Sequence, residues 1–269
     1  VANPVFSNSP VFGEDKRRAG STVYAESAAT QSTVDAATLD QMYAAPTATT
    51  RETGRLTYDD VVIKTGGLLA LLVVTGAATW AIEPRLWIAG AVVGLVLGLV
   101  NAFKREPNPL LITLYTVAQG VFLGGISAFY EAAYDGIVGQ AVLGTLSVAA
   151  VSLVAFRSGK VRVTPKFTRW LLVAMGGYLV FSLLNVVLML FGVGGGQFGP
   201  LRSGGLGIVV GLIAVGLAAA SFIVDFDAIK RAVEGGAPRK MAWAAAFGLL
   251  VTLVWLYLEI LRLLAIFRD

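Results

Sequence analysis

The chain has 269 residues, of which 56% are hydrophobic and only 14% charged; a soluble domain has roughly 45–50% and about 25%, so an ordinary water-soluble globule is excluded. Cys and His are both absent, which removes disulfides, thiolate nucleophiles, zinc centres, Ser-His catalysis and imidazole proton shuttles, and no enzymatic activity is expected. The formal charge of +4 is uneven: residues 1–60 carry five basic and eight acidic side chains, residues 61–269 sixteen and nine, and nucleic-acid binding is not expected because the basic excess sits in short connections between apolar runs.

In chain order, residues 1–60 come first, rich in Ser, Thr, Ala, Asp and Asn, with Pro4, Pro10 and Pro46 and no sustained apolar period. They are expected to form a disordered cytoplasmic tail. No positive start followed by an apolar stretch marks a cleaved signal, so the first span is expected to direct insertion. Val1, standing where an initiator Met is usual, suggests an alternative start codon and a bacterial source.

Residues 61–269 then read as a seven-span membrane domain. Apolar segments close to the roughly 20 residues needed to cross a hydrocarbon core recur seven times, at about 65–82, 86–103, 109–130, 136–156, 170–192, 205–226 and 241–267. Continuous rather than alternating hydrophobicity excludes a β-barrel. The fold class is therefore all-α, a polytopic seven-transmembrane-helix bundle. Thirty-one glycines fit helices that pack closely in lipid, with the runs Gly120 to Gly125 and Gly207 to Gly216 as packing faces. Asn101, Gln119, Gln140 and Asn185 at membrane depth are expected to make interhelical hydrogen bonds.

The second, fourth and sixth connections hold eleven Lys and Arg side chains, from Lys104 to Lys240, whereas the first, third and fifth hold only Arg85 and Arg202. Basic residues are retained on the cytoplasmic side. The N terminus is accordingly expected in the cytoplasm and Asp269 outside.

Ionisable groups within spans are costly and call for a reason; four qualify, Asp225, Asp227, Glu259 and Arg262. Asp225 and Asp227 stand two residues apart, about 200° around a helix, so both cannot face the interior. Asp225 shares a face with Ser221 and Ile229 and lies deeper, which makes it the interior candidate; alternatively both acids mark the end of the sixth span. Glu259 lies about 27 Å into the seventh span. Arg262 follows at i+3, as in an intrahelical ion pair near the outer interface, and Thr252 extends the same face into the bundle.

Three stretches are similar to one family of seven-span membrane proteins, the Bax inhibitor and YccA family. LYTVAQGVFLGGISAFYE, from Leu114 to Glu131, resembles its third-span signature; Val224-Asp225-Phe226-Asp227-Ala228-Ile229 resembles its sixth-span acid with Ile four residues on; and LLVTLVWLYLEILRLLAIFRD resembles its closing helix, with a Leu-Leu-Arg pattern near Arg262. The resemblance covers about 60–269, and the opening NPVFSNSPVF looks like the actinobacterial branch. It implies a pH-sensitive calcium leak gated by two aspartates, on the sixth and seventh spans, that share a proton. Asp225 matches the first. Aligning Arg262 on the Leu-Leu-Arg pattern puts Thr252 in the second position, the alignment preferred here; matching Tyr257-Leu258-Glu259 to the family's Tyr-Leu-Asp puts Glu259 there instead.

The chemistry expected is that of a carboxylate lining a membrane cavity: ionised, it attracts Ca²⁺, a hard cation that prefers oxygen ligands, and protonation removes the attraction. Asp225 is thus a weak Ca²⁺ candidate, Ca²⁺ being the transported ion rather than a cofactor. Asp225, Asp227, Thr252 and Glu259 are the candidate ion-pathway and pH-sensing residues. A retinal protein is excluded because 241–267 contains no Lys for a Schiff base, and a small-solute transporter is disfavoured by the lack of an internal repeat. The competing expectation is a non-transporting regulator whose partner is a membrane protease or another membrane protein of a stress response.

Overall fold

The computed structural model describes residues 54–159, 163–193 and 198–268. Among these residues seven helices are long and apolar enough to cross a membrane. They are α1 (Tyr58–Ile82), α2 (Trp87–Phe103, preceded by a 3₁₀ turn at Pro84–Leu86), α3 (Pro109–Ala133), α4 (Ile137–Arg157), α5 (Pro165–Leu190), α6 (Gly204–Glu234) and α7 (Met241–Arg268). The seven expected spans are all present. Lys160, Arg162, the glycines at 194–196, Asp269 and residues 1–53 of the expected tail lie outside the described residues.

Local chemistry sets the helix starts. Asn108 accepts from the amides of Leu110 and Leu111 with Pro109 in the first turn, and Thr164 accepts from Phe167 N with Pro165 following it. A side-chain oxygen at the cap satisfies amides that no helical carbonyl reaches, and Pro has no such amide to lose. The fifth span therefore begins at Pro165, ahead of the expected 170. The α6 helix runs eight residues past the expected 226, through Asp227 to Glu234, because charge ends the membrane-embedded stretch without ending the hydrogen-bond ladder. The first span begins at Tyr58 rather than 65, since Thr57 caps it by accepting from Asp60 N.

Residues 54–57, expected within the tail, are stitched to the sixth connection. Leu56 N donates to Ala237 O and Arg239 N to Gly54 O, both at 2.8 Å, around an antiparallel bridge between Arg55 and Pro238. Arg239 Nε also donates to Asp60 Oδ1 at 2.8 Å. Leu56 and Ala237 are buried beneath this stitch.

The core is organised about α7, which packs against α1, α3, α4 and α6; its Ala242, Ala246, Leu250, Leu256, Leu261 and Ala265 are fully enclosed. The α2 helix lies outside on α3, and α5 packs against α6. Both leave apolar faces exposed, such as Ile88, Val92, Leu95 and Leu99 on α2 and Leu172, Val173, Val180 and Leu183 on α5, as expected of surfaces solvated by acyl chains.

Small residues allow the closest approaches, as the sequence suggests. A Cβ on Gly124 of α3 would run into the backbone of Gly76 on α1, and one on Gly120 would lie 2.8 Å from Leu72 O. In the second glycine run Gly207 faces Arg202 O and Ile266 of α7 and Gly211 faces Leu263 of α7, whereas a Cβ on Gly216 would meet nothing within 4 Å, so only the first part of that run is a packing face. Polar groups at depth tie the packing together: Ser127 of α3 and Tyr257 of α7 share a hydrogen bond at 2.6 Å, and Asn185 donates to Phe198 O while accepting from Leu201 N. Asn101 reaches across to Leu111 O, and Gln140 accepts from Arg268.

Candidate functional site

The α6 and α7 helices form an antiparallel hairpin around the sixth connection, so residues at similar distances from that connection meet. Asp225 is nine residues before the end of α6 and Thr252 eleven after the start of α7, or about 14 and 16 Å at 1.5 Å per residue. Their side chains touch: Thr252 Oγ1 donates to Asp225 Oδ2 at 2.9 Å. The same hydroxyl lies 3.2 Å from its own helix's Gly248 O, the longer contact of the two.

Around Asp225 the lining is neutral. Ser221, one turn earlier, donates to Leu217 O at 2.9 Å and lies 3.3 Å from Met175 Sδ of α5. Ile229, one turn later on the same face, is buried. Among the described residues no Lys or Arg pairs with Asp225, which leaves a half-buried carboxylate with one hydroxyl donor about a third of the way along α6 from the sixth connection.

Asp227 has a different setting. It points away from Thr252 and pairs with Arg231 at 2.9 Å, one turn towards the sixth connection. The two acids thus divide as helix geometry requires, one inside and one at the charged end of α6.

Glu259 does not reach Asp225. Seven residues beyond Thr252, about 10 Å along the axis, it is buried in a separate cluster. Its Oε2 accepts from Arg262, the expected intrahelical partner. Its Oε1 accepts from Arg202 of the fifth connection at 2.6 Å and from the Tyr178 hydroxyl of α5. Arg202 also bonds that hydroxyl and lies over the Tyr178 ring, 5.4 Å from its centroid. Of the two sequence alternatives for the partner of Asp225, the structure puts Thr252 there and gives Glu259 two guanidinium groups.

Sequence reasoning did not single out Tyr178, or Arg202 as a partner of Glu259, and it assigned Asp60 to the tail. A signal for Arg202 existed: it is one of only two basic residues in the odd-numbered connections, where an unpaired cation is disfavoured. Nothing in the local pattern marked Tyr178, whose role depends on how α5 is placed.

Among the described residues no three acidic side chains gather into a metal-binding group. Asp225 and Thr252 offer a carboxylate and a hydroxyl, whereas Ca²⁺ takes six to eight oxygens.

Compared with curated proteins, the chain has no match. The family model described as Bax inhibitor 1 like matches residues 3–269, nearly the whole chain, and the seven helices and the Asp225 hairpin therefore belong to a multi-pass membrane protein of the Bax inhibitor 1 like family.

Proposed function

We propose that this protein is a pH-sensitive leak for cations, Ca²⁺ among them, with Asp225 as its titrating group. The observation that carries the reading is a carboxylate without a basic partner, hydrogen-bonded across the α6–α7 hairpin by Thr252 at 2.9 Å. Ionised, Asp225 attracts a cation and holds Thr252; protonated, it loses the attraction and weakens the link between the two helices. Titration thus couples ion affinity to the closure of the hairpin. The chain itself carries out no bond-making chemistry in this reading, and it associates with the bilayer and not with nucleic acid.

The basic residues of the even-numbered connections support a cytoplasmic N terminus and sixth connection, in the cytoplasmic membrane of a bacterium. Flux in liposomes tests the function. Wild-type protein should release trapped Ca²⁺ with a clear pH dependence, Asp225→Asn should flatten that dependence, and Asp227→Asn should leave most of it. No wild-type flux above protein-free liposomes at any pH overturns the leak. A regulator acting on a membrane protease or stress-response protein then becomes the reading to pursue, by capture of that partner.

A further inference from the structure

Whereas Asp225 stands without a cation, Glu259 has two, and the pairing leaves a surplus. Arg202 and Arg262 bond the two oxygens of one carboxylate, and the remaining close partner, Tyr178, is neutral as a phenol, so the cluster carries one net positive charge. Donors are also in excess. Nε of Arg202 and both Nε and Nη1 of Arg262 are enclosed without an acceptor among the described residues, although Arg262 is only 7% exposed. A guanidinium has five N–H donors and no acceptor of its own, and leaving them unmet away from water is unfavourable.

The backbone adds to the same charge. Arg202 directly precedes Ser203, the cap of the 31-residue α6. The Ser203 hydroxyl donates to Gly199 O and makes no capping bond to the first turn, so the positive end of a long helix begins one residue after Arg202. The cluster also lies near one face of the membrane. Arg262 is six residues, about 9 Å, from Arg268, which bonds Asp135 O and Gln140 Oε1 of the third connection and its following helix. The Arg202 side chain is 17% exposed, so part of its guanidinium stem remains reachable from outside the bundle.

We propose that Arg202 and Arg262 form a binding site for a phosphate group at the end of the bundle opposite the sixth connection. Phosphate is favoured over a halide because two planar donor forks plus helix amides present several divergent N–H groups, which a tetrahedral oxyanion can meet and a single atom cannot. The group is either the headgroup of an anionic phospholipid or inorganic phosphate. Glu259 fixes the two guanidiniums in register and tempers their charge.

The test uses the full chain purified in a maltoside detergent, which has no phosphate of its own. Thermal unfolding is followed while inorganic phosphate is titrated in one arm and phosphatidylglycerol, as mixed micelles, in the other; retained lipid is weighed by native mass spectrometry. Saturable stabilisation is expected in at least one arm: by phosphatidylglycerol alone if the headgroup is the ligand, by both if the phosphate group suffices. Arg202→Gln should weaken it about tenfold to a hundredfold, the range for losing hydrogen bonds to a charged group. Glu259→Gln should be less stable without ligand yet gain more from it than wild type, since its cluster is doubly positive; a purely structural cluster would lose stability with no such rescue. If Arg202→Gln does not fold, Arg202→Lys replaces it and should bind several-fold more weakly. No saturable effect in either arm, or wild-type affinity in the Arg202 variant, overturns the proposal.

Discussion

Replacing Gly124 by Ala tests a close backbone approach between α1 and α3. The added Cβ would sit 2.8 Å from the carbonyl carbon and 2.9 Å from the Cα of Gly76, and closer still to its carbonyl oxygen. Carbon atoms settle at about 3.5–4.0 Å, so α1 and α3 must part locally by about 0.7 Å or more. Backbone lies on both sides of the contact and no rotamer change relieves it. Overpacking of this kind costs about 1–3 kcal/mol, and the better helix propensity of Ala returns up to about 1 kcal/mol; the net expectation is a loss of about 0–2 kcal/mol. Gly176→Ala on α5 is the matched control, because a Cβ there meets nothing within 4 Å and only the propensity gain of up to about 1 kcal/mol applies. Reversible unfolding in mixed detergent micelles measures both. If Gly124→Ala proves as stable as Gly176→Ala, the α1–α3 approach is not as close as described, and the argument that glycine sets it is wrong.

Thr252→Asp places a second carboxylate opposite Asp225 and should raise Ca²⁺ affinity, read as stabilisation by millimolar Ca²⁺ that wild type lacks and Asp225→Asn removes. Arg239→Ala breaks the bond to Asp60; because Arg239 is about half exposed, the loss should stay below about 1 kcal/mol, but amide exchange at Leu56 and Arg239 should rise well above wild type. Reporter fusions after Lys160 and after Gly196 should report opposite sides of the membrane, and finding both on one side removes the proposed orientation.

Much of this architecture is legible in the sequence because membrane insertion writes it there. Spans need length and apolarity, and both are local properties; the starts at Pro109 and Met241 follow directly. The ends that moved are those where helix and membrane stop at different places: Tyr58 and Glu234 lie in polar sequence that still completes helical hydrogen bonds. Asp225 was legible from its depth and its angular separation from Asp227. Its partner was legible only as two alternatives, because Thr252 and Glu259 stand seven residues apart on one face of α7, about two turns, and no local preference separates them. Arg202, Tyr178 and the Asp60–Arg239 pair are joined across 57, 81 and 179 positions of the chain, and such meetings depend on packing that no periodicity encodes.

The position of α7 has a consequence for how the protein is made. The helix against which α1, α3, α4 and α6 pack is the last of the seven described helices to be synthesised. Until it arrives, Ser127 and Asp225 lack the side chains they bond in the finished bundle, and Arg202 lacks its carboxylate. The early helices can assemble among themselves, α1 and α2 on the small residues of α3, but this half-built bundle has a groove where its centre belongs. Synthesis arrested before Met241 should therefore leave six helices around an unfilled centre, which the 28 residues of α7 then occupy.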